Sequence, residues 1–422
     1  MNVSEQRTYF CIDMKCFFAS VECAERGLNP FETNLVVADE SRGTNALCLA
    51  ISPAMKAQGV KNRCRMSDIP KSISYLVAKP RMKKYIEYAA DIYDIYLDYI
   101  SPDDIHVYSI DEAFLDVTKY LPLYQKGAKE FAVFLINEIA KRKHIPAAAG
   151  IGTNLYLAKV ALDITAKKTK DHIGYLDEAT YRATLGKHRP ITDFWQVSTG
   201  TANRLARYGV YDMAGVAALP QETLYRAFGI NAELLIDHAY GRESCEIADI
   251  KAYKPKSKSI SSSQILFEDY TAEKALLVLT EMALAGCEEM IRRKVIANRF
   301  SIYIAYSKEV IPASGGSAKL PTATNLFSFI KKELDRLFYK TVVPNTPIRR
   351  LAISFENIMS DDCEGYDLFT DFEKVAQEKA IEHTVLSIKE RYGKSAVFRG
   401  MDLDEGATAL ARNKMIGGHN GE

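Results

Sequence analysis

No apolar run in this sequence approaches the roughly 18 residues that a membrane-crossing helix needs. Tyr75 to Ala78 ends at Lys79, and Phe131 to Ile136 ends at Asn137. The chain does not open with a charged start and a long apolar core, so the sequence points to a cytoplasmic protein with no membrane contact. Paired metal-binding cysteines are missing too. The eight cysteines (Cys11, Cys16, Cys23, Cys48, Cys64, Cys245, Cys287 and Cys363) include no CxxC, and the seven histidines include no HxxxH. This leaves a zinc site, a disulfide framework and a zinc hydrolase unsupported, and reduced, buried thiols are expected. Neither GxxxxGKS/T nor a complete GxGxxG occurs. Gly150-Ile-Gly-Thr-Asn-Leu155 lacks the third glycine, which argues against a dinucleotide site.

Strong net charge is also absent: the sum is +1. Its distribution is uneven. Residues 361–405 hold 12 acids against 6 bases, leaving a moderately basic remainder. A basic body with an acidic C-terminal segment is compatible with DNA binding, as are many ordinary proteins. At 422 residues and 47% hydrophobic, the chain has room for two to four domains with real cores.

Along the chain, Thr8 to Ile12 reads as a short buried strand ending at Asp13, and Phe17 to Arg26 as a helix closed by Gly27 and Pro30. Leu35–Ala38 and Ala46–Ile51 suggest a small strand pair. Lys83 to Ile100 is periodic, with Tyr85, Tyr88, Ile92, Ile95, Tyr96 and Tyr99 on one helical face. His106 to Tyr120 reads as two strands turning near Asp111, Ala128 to Lys143 as an amphipathic helix, and Ala147 to Ile151 as a strand. The expected class is α+β. Thr192 to Gly241 is helical and glycine-punctuated. Lys251 to Gln264, with four lysines, a proline, a serine run and no acid, reads as a linker. From Ile265 to Phe355 the α+β pattern returns: strands at Ile265–Glu268, Arg299–Tyr306 and Arg350–Phe355, helices at Lys274–Lys294 and Asn325–Lys340. Glu373 to Arg391 reads as a polar helix, and the tail after Gly406 as frayed.

Three carboxylates occupy suggestive places. Asp13 closes an apolar strand, and Asp111 and Glu112 sit at the bend of the hairpin. Adjacent strand residues face opposite sides, so this pair can serve one site only where the chain turns. An acid at the end of a buried strand is costly unless paired. Magnesium takes oxygen ligands, and two such ions can align an attacking and a leaving oxygen. By spacing alone, solvated turn acids are the more common explanation.

The surrounding text carries a resemblance. Cys11-Ile-Asp-Met-Lys-Cys-Phe-Phe-Ala-Ser-Val-Glu22 resembles the opening motif of the Y-family (UmuC/ImpB/MucB-like) translesion DNA polymerases, and Val107-Tyr-Ser-Ile-Asp-Glu-Ala-Phe-Leu-Asp-Val117 is similar to their second catalytic motif. Gly150-Ile-Gly-Thr-Asn154, Leu157-Ala-Lys-Val-Ala-Leu-Asp163 and Ala166-Lys-Lys168 match a third block. The likeness spans about residues 8–410 and is nearest the UmuC-like branch of Gram-positive bacteria. It implies an α+β right hand: palm at 1–30 and 76–170, fingers at 31–75, helical thumb at 171–245, linker at 246–254, α+β little finger at 255–360, and an acidic C-terminal segment and tail at 361–422. The implied activity is low-fidelity, template-directed DNA synthesis in damage bypass (the SOS response), on primer-template DNA and deoxynucleoside triphosphates, by a monomer.

Carried over residue by residue, Asp13, Asp111 and Glu112 match the acids that hold two Mg2+, and Met14 matches a position whose carbonyl reaches a metal. Phe18 matches the aromatic that excludes a ribose 2′-hydroxyl, with Phe17 beside it; plain core packing is the alternative for both. Lys167 matches a triphosphate contact, a role open also to Lys168 or Lys170. Two departures stand out. Lys15 replaces an acid frequent in relatives. Pro53 and Lys56 stand where many relatives carry a tyrosine and an arginine, which loses the two-pronged guanidinium grip.

Val197 to Val210 resembles a helix–hairpin–helix whose Gly200 turn would bare N–H groups to a phosphate. Lys254, Lys256 and Lys258 look like the entry to a backbone-tracking domain. Gly365-Tyr-Asp-Leu-Phe-Thr-Asp371 resembles a clamp-docking peptide, with Tyr366, Leu368 and Phe369 as its anchors; packing on the little finger is the alternative. Two other functions stay open: an idle DNA-binding regulator with a polymerase-like body, and a nucleotide cyclase on a similar palm.

Overall fold

A computed structural model describes residues 7–255, 259–309, 311–365 and 370–421. It divides into two compact units that meet at 254/255. Lys256, Lys258, Tyr366, Leu368 and Phe369 lie outside the described residues.

The first unit begins with β1 (Tyr9–Met14), which is followed by α1 (Phe17–Ala24). Cys16, at φ 51, turns the chain between them. β2 (Leu35–Val37), β3 (Ala50–Ile51), α2 (Pro53–Ala57) and β4 (Leu76–Ala78) come next. The expected strand pair is present as β2–β3, and β4 adds a third, parallel strand against β2. Its three residues are too few to carry a period. α3 (Met82–Leu97) buries Tyr85, Ile92, Ile95 and Tyr96, the face its periodicity marks. β5 (Ile105–Val107) and β6 (Glu112–Asp116) form the hairpin. α4 (Tyr120–Leu123), α5 (Ala128–Lys143), β7 (Ala147–Gly152), α6 (Leu155–Val160) and β8 (Ile173–Leu176) complete a sheet of order β5-β6-β1-β7-β8.

This sheet is covered on both faces. Phe10, Ile12 and Leu115 join α1, α3 and α5 in one core. Cys11, Phe114 and Ala148 pack against Leu155, Ala158 and Leu162 on the other side. All six residues of β7 are buried, which is why it reads as an unbroken small-apolar run rather than an alternation. α6 presses directly on the sheet backbone. A Cβ on Gly150 would stand 2.0 Å from the Ala158 carbonyl oxygen, and one on Gly152 would stand 2.1 Å from the Ala158 nitrogen. The Gly-Ile-Gly stretch is therefore a helix-packing device.

α7 (Glu178–Leu185), α8 (Thr199–Ala206), α9 (Met213–Ala218), α10 (Gln221–Phe228), α11 (Asn231–Tyr240) and α12 (Ile247–Ala252) make the helical part. The expected linker from Lys251 to Gln264 is much shorter. Lys251 lies within α12, and a strand begins at Ser259.

The second unit holds β9 (Ser259–Tyr270), α13 (Ala272–Arg292), β10 (Val295–Tyr306), β11 (Ser314–Thr324), α14 (Phe327–Thr341), β12 (Ile348–Glu356), β13 (Met359–Ser360), α15 (Phe372–Tyr392), α16 (Ala409–Asn413) and a terminal pair, β14 (Met415–Ile416) and β15 (His419–Asn420). Its sheet runs β11-β10-β12-β9, with Phe300, Ile302, Leu351, Ile353 and Phe355 facing the core of α13 and α14. β11 escaped sequence reading because it is an edge strand with two glycines and Pro321, chemistry that only an edge tolerates. The tail is not frayed. The buried Glu281 carboxylate accepts the Thr408 N–H at 2.9 Å, the Ala409 N–H at 3.0 Å and the Thr408 hydroxyl at 2.9 Å. Arg412 donates to the Ile265 carbonyl at 2.6 Å.

Candidate catalytic site

The β5–β6 hairpin and β1 bring the three acids to one end of the first sheet. Asp13 pairs directly with Glu112 across the antiparallel β1–β6 ladder, so their side chains share a face. Asp111 sits in the turn just before β6. Its carbonyl accepts the Met14 N–H at 2.9 Å, and its carboxylate accepts from Ser109 Oγ at 2.6 Å. Tyr108 and Ser109 both donate their N–H to the Glu112 carbonyl, which tightens the bend the sequence required.

The three carboxylates are neighbours but do not close on a single point. Among the described residues, no group of three acidic, histidine or cysteine side chains converges on one ion position. Glu112 is engaged elsewhere. Lys159 Nζ lies 2.8 Å from its Oε1 and 2.9 Å from its Oε2, and the Cys11 thiol donates to Oε1 at 2.9 Å. Lys159 also reaches Asp163, at 3.1 Å.

The electrostatics reflect crowding. Burial, and then the charges of Asp111 and Glu112, push Asp13 up to about 7, with Lys159 opposing them. Burial lowers the Lys159 pKa, but the neighbouring Cys11, Glu112 and Asp163 outweigh it and leave the ammonium more firmly protonated than usual. Like charges confined at a partly dry strand end are the environment a divalent cation relieves. The donors are carboxylate and backbone oxygens, the set magnesium prefers. The residues therefore fit a magnesium centre in chemistry, with Asp13, Asp111, Glu112 and the Met14 carbonyl as its candidate donors. The Met14 side chain itself is buried in the core.

Phe18 stacks on Tyr85, ring centroids 4.5 Å apart at 17°. Tyr85 is fixed in turn by donating its hydroxyl to the buried Glu22 carboxylate at 2.8 Å, which Arg81 also grips at 2.9 Å. Phe18 is half-buried and rigidly backed. Phe17 is 3% exposed within the core and packs against Phe18, ring centroids 5.8 Å apart.

Lys56 is exposed near the end of α2, which Ser52 caps, and its charge opposes the rise that burial imposes on the Cys16 thiol. Lys15 stands in the same neighbourhood. Burial lowers it to about 8, with Cys16 and Asp13 opposing and Lys56 adding to the shift. Lys167 is exposed in a 3-10 turn over Ala166–Lys168, which follows a π-helical turn over Ala161–Thr165.

Gly200 does not form a turn. It is the second residue of α8, whose N-cap Ser198 accepts from the Thr201 N–H. The turn between α8 and α9 carries Gly209, at φ 71. The first N–H groups of α8 have no partner inside the helix, so a phosphate contact there rests on a helix start rather than a glycine bend. Lys254 is exposed beyond α12.

Two features escaped the sequence reading. Lys159 lies inside the buried run Leu155–Leu162; a lone cation in an apolar helix, four residues before Asp163, was the available signal. The other is the open face of the second sheet. Ser317, Ser301, Ser354 and Ser261 lie opposite one another across its four strands, beside the exposed Arg299 and Tyr303. The serine run is thus part of a hydroxyl row that only strand pairing assembles.

A carboxylate-bearing hairpin sheet, a helical region after it and a separate four-stranded α+β unit define the right-hand architecture of Y-family DNA polymerases. A Y-family DNA polymerase chimera of Dbh and Dpo4 superposes with a TM-score of 0.64 at 19% identity, over 84% of this chain and 99% of that one. The chain belongs to the impB/mucB/samB family. Its family model matches residues 12–163, and the model of the family's C-terminal domain matches residues 257–368. A Bacillus subtilis (strain 168) protein named for UV-damage repair, UvrX, is 30% identical, covering 98% of each chain. DNA polymerase IV 2 of the same strain is 29% identical over 98% of this chain and 99% of its own. Among the described residues, no helix is long and apolar enough to cross a membrane.

Proposed function

We propose that this chain is a DNA-directed DNA polymerase of low fidelity that extends a primer past damaged template positions, as part of the SOS response. The observation that carries the reading is the cross-strand placement of Asp13 opposite Glu112 with Asp111 in the adjoining turn, all three inside the segment that matches the family. Relatives named DNA polymerase IV 2 and UvrX support it.

In this reading Asp13, Asp111, Glu112 and the Met14 carbonyl hold two magnesium ions. When bound, the ions supply Lewis-acid stabilisation of the attacking primer 3′ oxygen and the leaving pyrophosphate. The protein's own part is positioning. Phe18, held by Tyr85, blocks a ribose 2′-hydroxyl. Lys56 and Lys167 neutralise the triphosphate, with Lys15 close to Lys56. The hydroxyl row with Arg299, Lys254, Lys256 and Lys258, and the start of α8, take DNA phosphates, contacts that hold DNA without reading its sequence. Palm, fingers, thumb and little finger are proposed at the boundaries the resemblance implies; the second compact unit runs from Pro255 to Gly421.

The test is primer extension by the full chain on undamaged and lesion-bearing templates, with Mg2+ and each deoxynucleotide. Incorporation opposite the lesion supports the reading. DNA binding without any extension would identify an idle DNA-binding protein instead. Turnover of nucleotide without DNA would identify a cyclase.

The segment containing Tyr366, Leu368 and Phe369 is proposed, on sequence alone, to dock on a sliding clamp. A weak peptide suffices where DNA already tethers the enzyme nearby. Alanine at Leu368 and Phe369 is expected to remove clamp stimulation and leave clamp-free synthesis unchanged. Equal loss under both conditions would mark the segment as structural.

A further inference from the structure

Of the buried charged groups beside the catalytic acids, one has no part in the mechanism above. Lys159 is 8% exposed. Its ammonium spans both oxygens of Glu112, at 2.8 and 2.9 Å, and is tethered from the other side by Asp163 one helical turn on, at 3.1 Å. Tyr108 places its ring 5.9 Å from the same nitrogen. The lysine is brought there by the tight seating of α6 on the sheet, which Gly150 and Gly152 make possible.

The arrangement is costly. Two charges taken out of water are kept only where each is well paired, and a merely structural role would be served as well by apolar residues. Glu112 lies across from Asp13 and next to Asp111, so before any metal arrives it faces two like charges in a poorly hydrated corner. Lys159 is the cation that contacts it in that state.

We propose that Lys159 is a positioning residue that stands in for the metal: it holds the Glu112 carboxylate in place beside the strand end, then shares it with the incoming divalent cation. The tether to Asp163, one turn further along the same helical stretch, keeps the ammonium in place against Glu112. Glu112 would then give one oxygen to the ion, while Asp163 holds Lys159 in place. This inference rests on the proposed two-metal reading and deepens it.

The test counts bound metal directly and needs no turnover. Mn2+, standing in for Mg2+, is titrated into full-length protein with a dideoxy-terminated primer-template and the matching deoxynucleotide, and free Mn2+ is read by electron paramagnetic resonance. Lys159→Met is expected to weaken Mn2+ binding about tenfold or more, the usual cost of removing a group that orients a metal ligand. Lys159→Arg, which keeps the charge, recovers most of that loss. Asp163→Asn, which loosens the tether without touching Glu112, gives a smaller shift in the same direction and guards against a Lys159→Met chain that does not fold. Unchanged or tighter Mn2+ binding in folded Lys159→Met, or in Asp163→Asn if Lys159→Met does not fold, overturns the assignment. A lowered melting temperature with unaltered affinity overturns it equally, since that is what a purely structural lysine predicts. Wild-type protein that takes up no Mn2+ saturably overturns the two-metal reading as well.

Discussion

The two sheets of this molecule are built from the same material and finished in opposite ways. The first, β5-β6-β1-β7-β8, is covered on both faces, down to a helix resting on bare glycine backbone. The second, β11-β10-β12-β9, buries one face under α13 and α14 and leaves the other to solvent, lined with serine, arginine and tyrosine. Two-sided cover fixes side chains at a strand end within a dry, stiff frame, which suits chemistry that fails when a group moves by an ångström. An open polar face can follow a flexible, hydrated phosphate backbone without reading it. Substitutions on the two sheets should therefore break different things.

The largest difference is expected for Asp111→Ala. Single-turnover extension should fall about a thousandfold, equivalent to the several kcal/mol that metal-assisted charge stabilisation supplies. Primer-template affinity, measured by fluorescence anisotropy, should hardly change. Retention of more than a few per cent of the rate would remove Asp111 from the metal site.

Next comes packing. Gly150→Val drives a side chain into the Ala158 carbonyl and should lower stability by about 3 kcal/mol or more, visible as a fall in melting temperature. Ser301→Ala, on the open face, should stay within about 0.5 kcal/mol. Similar losses at both would mean the second face is not open in solution.

Phe18→Ala should raise ribonucleotide incorporation relative to deoxynucleotide incorporation, read from paired kcat/KM values. An unchanged ratio would make Phe18 core and shift the gate elsewhere.

A pH effect follows from Asp13. Its folded pKa, about 7, lies above the ordinary value of 3.8. Its stabilising contribution is full below about pH 4 and is lost as pH rises through 7. Mg2+ favours the ionised form, so the gain in melting temperature on adding Mg2+ should be greater at pH 8 than at pH 6. A gain independent of pH would separate Asp13 from the metal.

The smallest effect belongs to the open sheet. Arg299→Ala should reduce the slope of log affinity against log salt by about one, the signature of a single lost phosphate contact, with extension at saturating DNA unchanged. An unaltered slope would take Arg299 off the DNA.

The same contrast decides what could be read in advance. Asp13, Asp111 and Glu112 were singled out by the motifs around them, since short apolar strands ending in an acid are common at turns. The α5 helix, Ala128–Lys143, was read to the residue because its amphipathic period is uninterrupted. On the one-sided sheet the text is weaker. β11 went unassigned and the start of β9 read as a linker, because glycine, proline and serine are what an exposed edge and an open face tolerate. Lys159 was passed over because its meaning depends on Glu112, 47 residues away. Gly200 was placed in a turn because glycine was taken as a bend, where Ser198 was in fact announcing a helix.

The grip of Glu281 on Thr408 and Ala409 makes the second unit depend on a segment that follows all four of its main strands. A translation product ending a few residues short of 408 would contain every strand of both large sheets, yet would lose the three donors that satisfy the Glu281 carboxylate. The cost of such an orphaned charge, about 1–3 kcal/mol or more, falls on the whole second unit. Quality-control proteases sample transient opening, so a truncated product would be culled at a point where its catalytic residues are all still present.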